Sequence, residues 1–373
     1  MPNLTDVTPS LLAALGVPGH ADTLGLPGAD RVCLLLVDGL GWEQLRAHAG
    51  DAPFLAGLAE GTGPMSVGFP ATTAASVATL GTGLPVGRHG IVGLSFLVPG
   101  KPLLHALTWR RQGAGVKEDL RDTVVPERVQ PTTTALERAE AAGVTVTVTA
   151  PRVQRRSGLS RAVLRGGRFV TAHALGDLVT HVAEALRTAP AFCYAYHGDL
   201  DLMGHAYGPG SAAWRAQLRV IDRLAADITA ELPPGALFAV VADHGMVRLT
   251  DDEVVDADTT PALTDGVLEI GGDVRARHVY AAPGAAADVL AAWREVLGER
   301  ALVRSRDEAV ADGWFGPDVS ELVLPRIGDV VTSSLRGNGV LRSRLEPIES
   351  RMVGHHGSHD DAERLVPFLT VRA

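Results

Sequence analysis

Two runs of apolar residues, each followed at once by an acidic residue, constrain the fold of this chain more than any other feature. The first is Val-Cys-Leu-Leu-Leu-Val followed by Asp38, and the second is Phe-Ala-Val-Val-Ala followed by Asp243. Continuous apolar runs of this length are typical of parallel strands that are covered on both faces. Ligands bind beyond the carboxyl ends of such strands, so the two carboxylates are expected to point into one crevice.

Strand-like and helix-like patterns alternate from the N-terminus to Asp243. Helices are predicted at 39–48, 51–60, 73–83, 172–187 and 211–231, and strands at 31–38, 65–68, 144–149, 191–196 and 237–243. A capping box at Thr134 to Glu137 opens a further helix. This alternation predicts an α/β fold with a doubly wound, mostly parallel sheet flanked by helices.

The domain organisation is predicted to be one catalytic domain over residues 1–373. Between 250 and 350 the alternation loosens, and this region is predicted to contain a small inserted cap subdomain. Residues 94–131 show no sustained period and are predicted to be a long loop. Loops of that length in compact domains are usually functional, so we expect this one to line or cover the site.

Charge and cysteine content exclude some classes of function. The formal net charge is −9, which argues against a partner that is a nucleic-acid polymer. Cys33 and Cys193 lie inside apolar runs and are expected to be buried and reduced.

No apolar run reaches membrane-spanning length, and the first residues lack the pattern of a signal peptide. We therefore expect a cytoplasmic protein with no membrane partner, of an oligomeric state that the sequence leaves open.

Residues 69–93 combine two neighbouring hydroxyls with a helix start. Thr72 and Thr73 precede about ten small residues that end at Gly83. A helix N-terminus favours an anion, so a phosphoryl group is easier to hold there and a threonine oxygen is easier to deprotonate. Taken alone, the stretch also fits a Thr N-cap before a packed helix, and its spacing does not decide between the two hydroxyls.

Three further stretches carry clustered Asp and His. Asp201 and His205 are four residues apart and share one face if the segment is helical. Asp243 is followed by His244, and His356 lies in Gly-His-His-Gly-Ser-His near the C-terminus. Each motif alone also fits a turn or a surface pair. Together with Asp38 and a Thr oxygen, these side chains suit two divalent ions, with Zn²⁺ favoured by the imidazoles and Mn²⁺ or Fe as alternatives.

In this order, the motifs resemble the alkaline phosphatase superfamily, and most of all its type I phosphodiesterase / nucleotide pyrophosphatase branch. The resemblance spans residues 38 to 357. It implies Thr73 as the nucleophile, because Thr73 matches the family nucleophile when the chain is aligned on the shared Thr-Gly-Leu and His-Gly-Ile-Val motifs. It also implies two metal sites, which are Asp201, His205 and His356 for one ion and Asp38, Thr73, Asp243 and His244 for the other.

The resemblance further implies a phosphohydrolase mechanism with a phospho-threonine intermediate. Metal coordination would activate the Thr73 hydroxyl, and two ions about 4 Å apart would clamp the attacking and leaving oxygens. The implied substrate is a small phosphate ester or a nucleotide. Alternatives are a phosphomonoesterase, a phosphonate hydrolase or a mutase with the same core, and a non-catalytic metal-binding homologue. A sulfatase is disfavoured, because neither cysteine begins a Cys-x-Pro-x-Arg motif.

One position departs from the pattern of this branch. Nucleotide pyrophosphatases carry an Asn twenty-one residues after the nucleophile, whose amide donates to a phosphoryl oxygen, and Leu94 stands there in this chain. A missing donor of this kind typically costs about 100- to 1000-fold in rate. Ser95, the next residue, and the arginines of the 94–131 loop are the candidate replacements.

Overall fold

The computed structural model describes residues 1–113, 115–250 and 254–373. The α-helices within these ranges are α1 (Leu4–Ala14), α2 (Trp42–Ala47), α3 (Pro53–Ala59), α4 (Thr73–Thr82), α5 (Val86–His89), α6 (Pro126–Val129), α7 (Ala135–Ala141), α8 (Gly158–Val163), α9 (Leu175–Ala185), α10 (Asp199–Tyr207), α11 (Ala212–Glu231), α12 (Ala286–Leu297), α13 (Arg306–Ala311) and α14 (Asp361–Arg364). The strands are β1 (Arg31–Val37), β2 (Met65–Ser66), β3 (Ser95–Leu97), β4 (Leu103–His105), β5 (Arg110–Arg111), β6 (Thr145–Pro151), β7 (Arg168–Ala172), β8 (Ala191–His197), β9 (Leu237–Val241), β10 (Val247–Arg248), β11 (Val254–Asp256), β12 (Val267–Asp273), β13 (Ala276–Ala281), β14 (Ala301–Ser305), β15 (Val330–Ser334), β16 (Gly339–Leu341), β17 (Gly354–His355), β18 (Leu365–Val366) and β19 (Phe368–Arg372).

A six-stranded sheet forms the centre of the molecule, in the order β19-β9-β1-β8-β6-β7. β1 lies between β8 and β9 and is parallel to both, and only β19 runs antiparallel to its neighbour, β9. Residues 32–37 of β1 are all buried, which explains their continuous apolar character. The predicted α/β fold with a mostly parallel sheet is confirmed.

Helices flank this sheet in two groups that pack among themselves. α9 packs on β6, β7 and β8 and contacts α11, which contacts α3 and α10. The other group is centred on α4, which contacts α1, α5, α7 and α8. The capping box predicted at Thr134 is present at the start of α7, and α4 ends at Gly83, whose φ of 69° favours glycine.

A second sheet, in the order β12-β13-β15-β14, has its own core. It is antiparallel, and Ile270, Trp293 and Val330 belong to a hydrophobic cluster separate from that of the central sheet. This sheet lies within the region predicted as an inserted cap. Residues 251–253 at the start of that region lie outside the described residues, and the division into domain and cap stays a prediction.

The 94–131 segment is more ordered than its sequence indicates. It contains the three-stranded antiparallel sheet β3-β4-β5 and the short helix α6. The side chain of Trp109 is fully buried, and its Nε1 donates to the carbonyl oxygen of Val124 at 2.6 Å. Strands of two or three residues are too short to produce a detectable period, which is why we predicted an irregular loop.

Cys33 and Cys193 are buried and free, as predicted, and they are register partners in the parallel strands β1 and β8. Among the described residues, no helix is both long enough and apolar enough to cross a membrane.

Candidate metal centre

The acidic residues of the site follow the carboxyl ends of three adjacent strands. Asp38 comes directly after β1, Asp243 is two residues beyond the end of β9, and α10, which carries Asp201, begins two residues after β8. Gly39 allows these segments to approach closely. Its φ is 77°, and a Cβ at this position would lie 2.9 Å from the Cα of Asp201, so the turn requires glycine.

The first group of side chains surrounds the hydroxyl of Thr73. Thr73 Oγ1 lies 3.1 Å from His244 Nε2 and 3.4 Å from Asp38 Oδ1. His244 Nε2 is also 3.4 Å from Asp38 Oδ1 and 3.5 Å from Asp243 Oδ2. One ligand atom each from Asp38, Asp243 and His244 lies within 4.8 Å of the others. This group can hold one ion in contact with the threonine oxygen.

The second group is built from α10 and the turn after β17. His205 Nε2 is 3.3 Å from Asp201 Oδ2, and His356 Nε2 is 3.9 Å from Asp201 Oδ1. His244 faces this group as well, because its ring is stacked on that of His356 at a centroid distance of 3.5 Å. Asp201, His244 and His356 offer ligand atoms within 4.8 Å of one another. The structure therefore brings all seven predicted ligand residues together, with His244 at the junction of the two groups.

The three imidazoles are oriented by backbone carbonyl groups. Nδ1 of His205 lies 2.8 Å from the oxygen of Gly354, Nδ1 of His244 lies 2.9 Å from that of Gly245, and Nδ1 of His356 lies 2.9 Å from that of Ala71. A carbonyl oxygen can only accept, so each Nδ1 carries a proton and each ring turns its Nε2 toward the carboxylates. When a ring is neutral, its Nε2 lone pair is free to bind a cation. This is the orientation in which histidine binds metals.

The pKa values of the cluster follow from its charge and its burial. Burial, and then the charge of Asp38, hold the pKa of Asp243 well above its usual range. Burial alone would raise the pKa of Asp38, but hydrogen bonds from His244 and Tyr196 lower it overall. Burial opposes the protonation of His244, yet the carboxylates of Asp243, Asp38 and Asp201 together raise its pKa to about 10. The cluster thus attracts positive charge strongly.

Two buried carboxylate oxygens support the same conclusion. Within the described residues, Asp201 Oδ1 and Asp243 Oδ2 are buried and have no hydrogen-bond partner. An unpaired buried carboxylate oxygen is costly, and a metal ion is one of the few groups that can compensate it. Carboxylate and imidazole ligands suit Zn²⁺, Mn²⁺ or Fe. The donor set therefore fits the two divalent ions expected from the sequence.

This charge balance predicts a change in stability for Asp243→Asn. In the presence of a chelator, the variant should have a higher Tm than the parent. Asp243 is ionised in the unfolded chain but costly to ionise when buried beside Asp38, and the amide has no such cost. Its amide oxygen can still accept from the N–H groups of Gly39 and His244, which lie 3.1 Å from Asp243 Oδ1. Added Zn²⁺ or Mn²⁺ should stabilise the parent by about 2.7 kcal/mol per site at a free ion concentration 100 times the Kd, and the variant by less.

Thermal melts with EDTA and with each metal measure both effects. Asp265→Asn, at an exposed position, is the matched control, and we expect it to leave the metal-dependent gain in Tm unchanged. A lower Tm of Asp243→Asn in the chelator would contradict the inference that burial of Asp243 costs stability when no metal is bound.

α4 places Thr73 at its first position and Thr72 at its N-cap. Ser76, one turn further on, donates to the carbonyl oxygen of Asp243 at 2.7 Å and so fixes the helix against the segment that follows β9. The Thr73 hydroxyl lies at the positive end of the helix, as the sequence predicted.

A cavity of about 250 Å³ opens beside this cluster. Its walls come from α4, the 94–131 segment, α10, the β12–β13 turn and residues 346–356. The lining residues are Thr72, Thr73, Leu94, His105, Leu107, Asp201, His205, Gly272, Asp273, Val274, Glu346, Glu349, Met352, His355 and His356. The 94–131 segment thus lines the cavity through Leu94, His105 and Leu107.

Ser95 does not line this cavity, which corrects its proposed role as a substrate contact. The residue is fully buried in β3, and its hydroxyl donates to the carbonyl oxygen of Gly272 at 3.2 Å. Successive side chains of an extended chain point to opposite sides, so Leu94 reaches the cavity and Ser95 does not.

The structure adds two residues that the sequence analysis missed. Tyr196, in β8, donates from its hydroxyl to Asp38 Oδ2 at 2.5 Å. Asp273, at the end of β12, lines the cavity and accepts a hydrogen bond from Thr72. Neither residue belongs to a recognisable motif. The position of Tyr196 three residues before α10, in a strand expected to end at the site, was the only local signal for either.

Comparisons with known proteins agree with this geometry. A family model described as type I phosphodiesterase / nucleotide pyrophosphatase matches residues 32–359. The fold is similar to murine ectonucleotide pyrophosphatase / phosphodiesterase 5, with a TM-score of 0.70 and 18% identity over 91% of this chain and 87% of that one. An inactive threonine-to-alanine variant of that murine protein, in complex with AMP, matches with a TM-score of 0.70 and 16% identity over the same shares of the two chains.

Phosphonoacetate hydrolase from Sinorhizobium meliloti 1021, in complex with phosphonoformate, matches with a TM-score of 0.67 and 20% identity over 92% of this chain and 91% of that one. No curated protein sequence matches this chain. At these identities, the structural likeness establishes the alkaline phosphatase-like fold.

Proposed function

This chain belongs to the type I phosphodiesterase / nucleotide pyrophosphatase family, and from that premise we propose that it is a dinuclear-metal phosphodiesterase that uses Thr73 as its nucleophile. The observation that carries the proposal is the position of the Thr73 hydroxyl. It lies at a helix N-terminus, 3.1 Å from His244 Nε2 and 3.4 Å from Asp38 Oδ1, within a cluster of carboxylates and imidazoles whose ligand atoms are close enough to hold a metal ion.

Under this proposal, Asp38, Asp243 and His244 hold one divalent ion against Thr73, and Asp201, His205 and His356 hold the other. The ions would supply Lewis-acid chemistry, lowering the pKa of the hydroxyl and balancing the charge that develops on the phosphoryl oxygens. Tyr196 keeps Asp38 oriented, and the carbonyl groups of Gly245, Gly354 and Ala71 keep the three imidazoles oriented.

The reaction forms a bond from Thr73 Oγ1 to phosphorus and breaks the bond from phosphorus to the leaving oxygen. The Thr73 proton passes to solvent, and the leaving oxygen takes up a proton from water and departs as an alcohol. Water then hydrolyses the phospho-threonine, which restores the Thr73 hydroxyl and releases a phosphate monoester. The N-terminal N–H groups of α4 point toward the phosphoryl group during both steps. An inactive threonine-to-alanine variant of the structurally similar murine protein supports a threonine in this role.

The charge of the cavity favours diesters over monoesters. Glu349 lines it, Glu346 lines it as the partner of Arg277 in an ion pair of 2.8 Å, and among the described residues no lysine or arginine lines it. A phosphodiester carries one negative charge and a monoester up to two, so an acidic wall disfavours the monoester. The same argument disfavours phosphonoacetate, whose second anionic group needs a cationic partner. Leu94, Leu107 and Met352 supply apolar surface for the ester substituents.

The test compares bis-p-nitrophenyl phosphate with p-nitrophenyl phosphate in protein loaded with Zn²⁺, Mn²⁺ or Fe²⁺. We expect kcat/KM to be at least about tenfold higher for the diester, and Glu349→Lys to narrow that ratio by about tenfold through charge alone. Glu295→Lys, an equal change of charge on the exposed side of α12, is the control. A preference for the monoester in the parent would favour a phosphomonoesterase instead.

A further inference from the structure

The side chain of Leu94 brings no hydrogen-bond donor to the cavity, and a pair of polar side chains stands nearby. Thr72 and Asp273 both line the cavity that contains Thr73. Thr72 Oγ1 lies 3.1 Å from Asp273 Oδ1, and both residues are buried, with only 1% and 5% of their surfaces exposed. Thr72 is the N-cap of α4, but its side chain makes no hydrogen bond to its own helix.

Asp273 is held firmly on its other side. Its Oδ2 accepts from the backbone N–H of Leu94 at 3.3 Å. The residue follows Gly272, whose φ is 84° and where an added Cβ would lie 2.1 Å from the oxygen of Ala276, so the turn between β12 and β13 has little freedom. An added Cβ at Gly357, next to His356, would lie 3.2 Å from the Cβ of Asp273. Asp273 thus fixes the position of Thr72 relative to the cavity.

The direction of the hydrogen bond between the two side chains decides what Thr72 presents to the substrate. An ionised Asp273 accepts the single hydroxyl proton of Thr72, which then turns only lone pairs toward the cavity. A neutral Asp273 donates its own proton to Thr72 Oγ1 and frees the Thr72 proton for another acceptor. A phosphoryl oxygen in the cavity is such an acceptor.

The surroundings of Asp273 make the neutral form accessible. Burial raises its pKa to about 6, although the N–H of Leu94, the hydroxyl of Thr72 and the charges of Arg277 and His244 oppose this rise. Arg277 is itself paired with Glu346 at 2.8 Å, which offsets part of its charge.

We propose that Thr72 donates a hydrogen bond to a phosphoryl oxygen of the substrate, and that Asp273 is a positioning residue that orients the Thr72 hydroxyl for this contact. This inference rests on the proposed phosphoryl chemistry at Thr73. It gives roles to two residues outside the predicted ligand set.

The test uses paired variants in the metal-loaded protein. Thr72→Val removes the hydroxyl with little change of shape and should lower kcat/KM on the best diester by about 100-fold. Thr72→Ser should have a kcat/KM at least tenfold higher than that of Thr72→Val. Asp273→Ala should lower kcat/KM to a similar level. The amide of Asp273→Asn can donate to Thr72 and accept from Leu94, so this variant should have a kcat/KM at least tenfold higher than that of Asp273→Ala. Its kcat/KM should also vary less with pH between 5 and 8 than that of the parent.

Binding of inorganic phosphate, measured by calorimetry, tests the same contact without turnover. Thr72→Val should weaken phosphate binding by at least about tenfold at unchanged metal content, whereas Thr180→Val, at an exposed threonine of α9, should not. Phosphate binding and turnover by Thr72→Val equal to those of the parent would overturn the proposal, as would an Asp273→Asn protein as impaired as Asp273→Ala. If the parent hydrolyses no diester, the proposed function fails while the binding measurement still decides the role of Thr72.

Discussion

Thr73→Ala is expected to abolish turnover, by at least about 10⁴-fold in kcat, while two metal ions remain bound. The variant lacks the oxygen that attacks phosphorus, and no other group can form the covalent intermediate. Six predicted ligands remain: Asp38, Asp201, His205, Asp243, His244 and His356. Steady-state kinetics together with elemental analysis of the dialysed protein measure both parts of this expectation.

The neighbouring threonine provides the control for this experiment. Thr72→Ala should be slower than the parent and yet clearly active, because it loses one hydrogen bond and keeps the nucleophile. Thr73→Ser should retain partial activity, since it keeps an oxygen at the same position. If Thr72→Ala were the inactive variant and Thr73→Ala the active one, the assignment of the nucleophile would be off by one residue.

His356→Ala is expected to remove one of the two ions preferentially and most of the activity with it. The variant deletes one of three ligands in the group with Asp201 and His205. Loss of a residue that merely orients a ligand typically weakens metal binding by 10- to 100-fold, so loss of the ligand itself should weaken it by at least about 100-fold. Dialysis against limiting metal, followed by elemental analysis, should give a stoichiometry close to one ion per chain.

His244→Ala is the matched experiment on the other group. His244 Nε2 lies within 3.5 Å of Asp38 and Asp243, and its ring is stacked on His356. Under the proposed assignment, this variant loses the ion next to Thr73 and keeps the other. Equal loss of both ions, or of neither, in the His356→Ala protein would contradict the division into two sites.

The fold could be predicted because the patterns that indicate it lie within short stretches of the sequence. β1 after Arg31 and the whole of β9 are apolar since both faces are covered, and each strand is followed within two residues by a carboxylate at the edge where ligands bind. Because Asp201 and His205 are four residues apart in one helix, α10, they lie on the same face of it, and this follows from their spacing alone.

The remainder of the site depends on contacts between distant segments, which one sequence does not display. Asp273 is 201 positions from Thr72 in the sequence and yet contacts it. His244 lies between the two groups of ligands because its ring stacks on that of His356, a residue far away in the sequence. The prediction of Ser95 as a substrate contact fails for a different reason, because adjacency in sequence to Leu94 does not give adjacency in space. In an extended segment, the immediate neighbour is the residue that points away.

The central position of β1 also has a consequence for how this protein is made. β1 ends at residue 37, but its two partners, β8 and β9, begin at residues 191 and 237. At typical rates of synthesis, the first partner follows β1 out of the ribosome after roughly 8 to 30 s. Throughout that interval, a strand composed almost entirely of Val, Cys and Leu has both hydrogen-bonding edges unpaired. Pairings this distant in sequence are also slow to form. The apolar strand that positions Asp38 in the finished molecule is therefore the segment most exposed to aggregation during synthesis, and expression at reduced temperature or with added chaperones should raise the soluble yield.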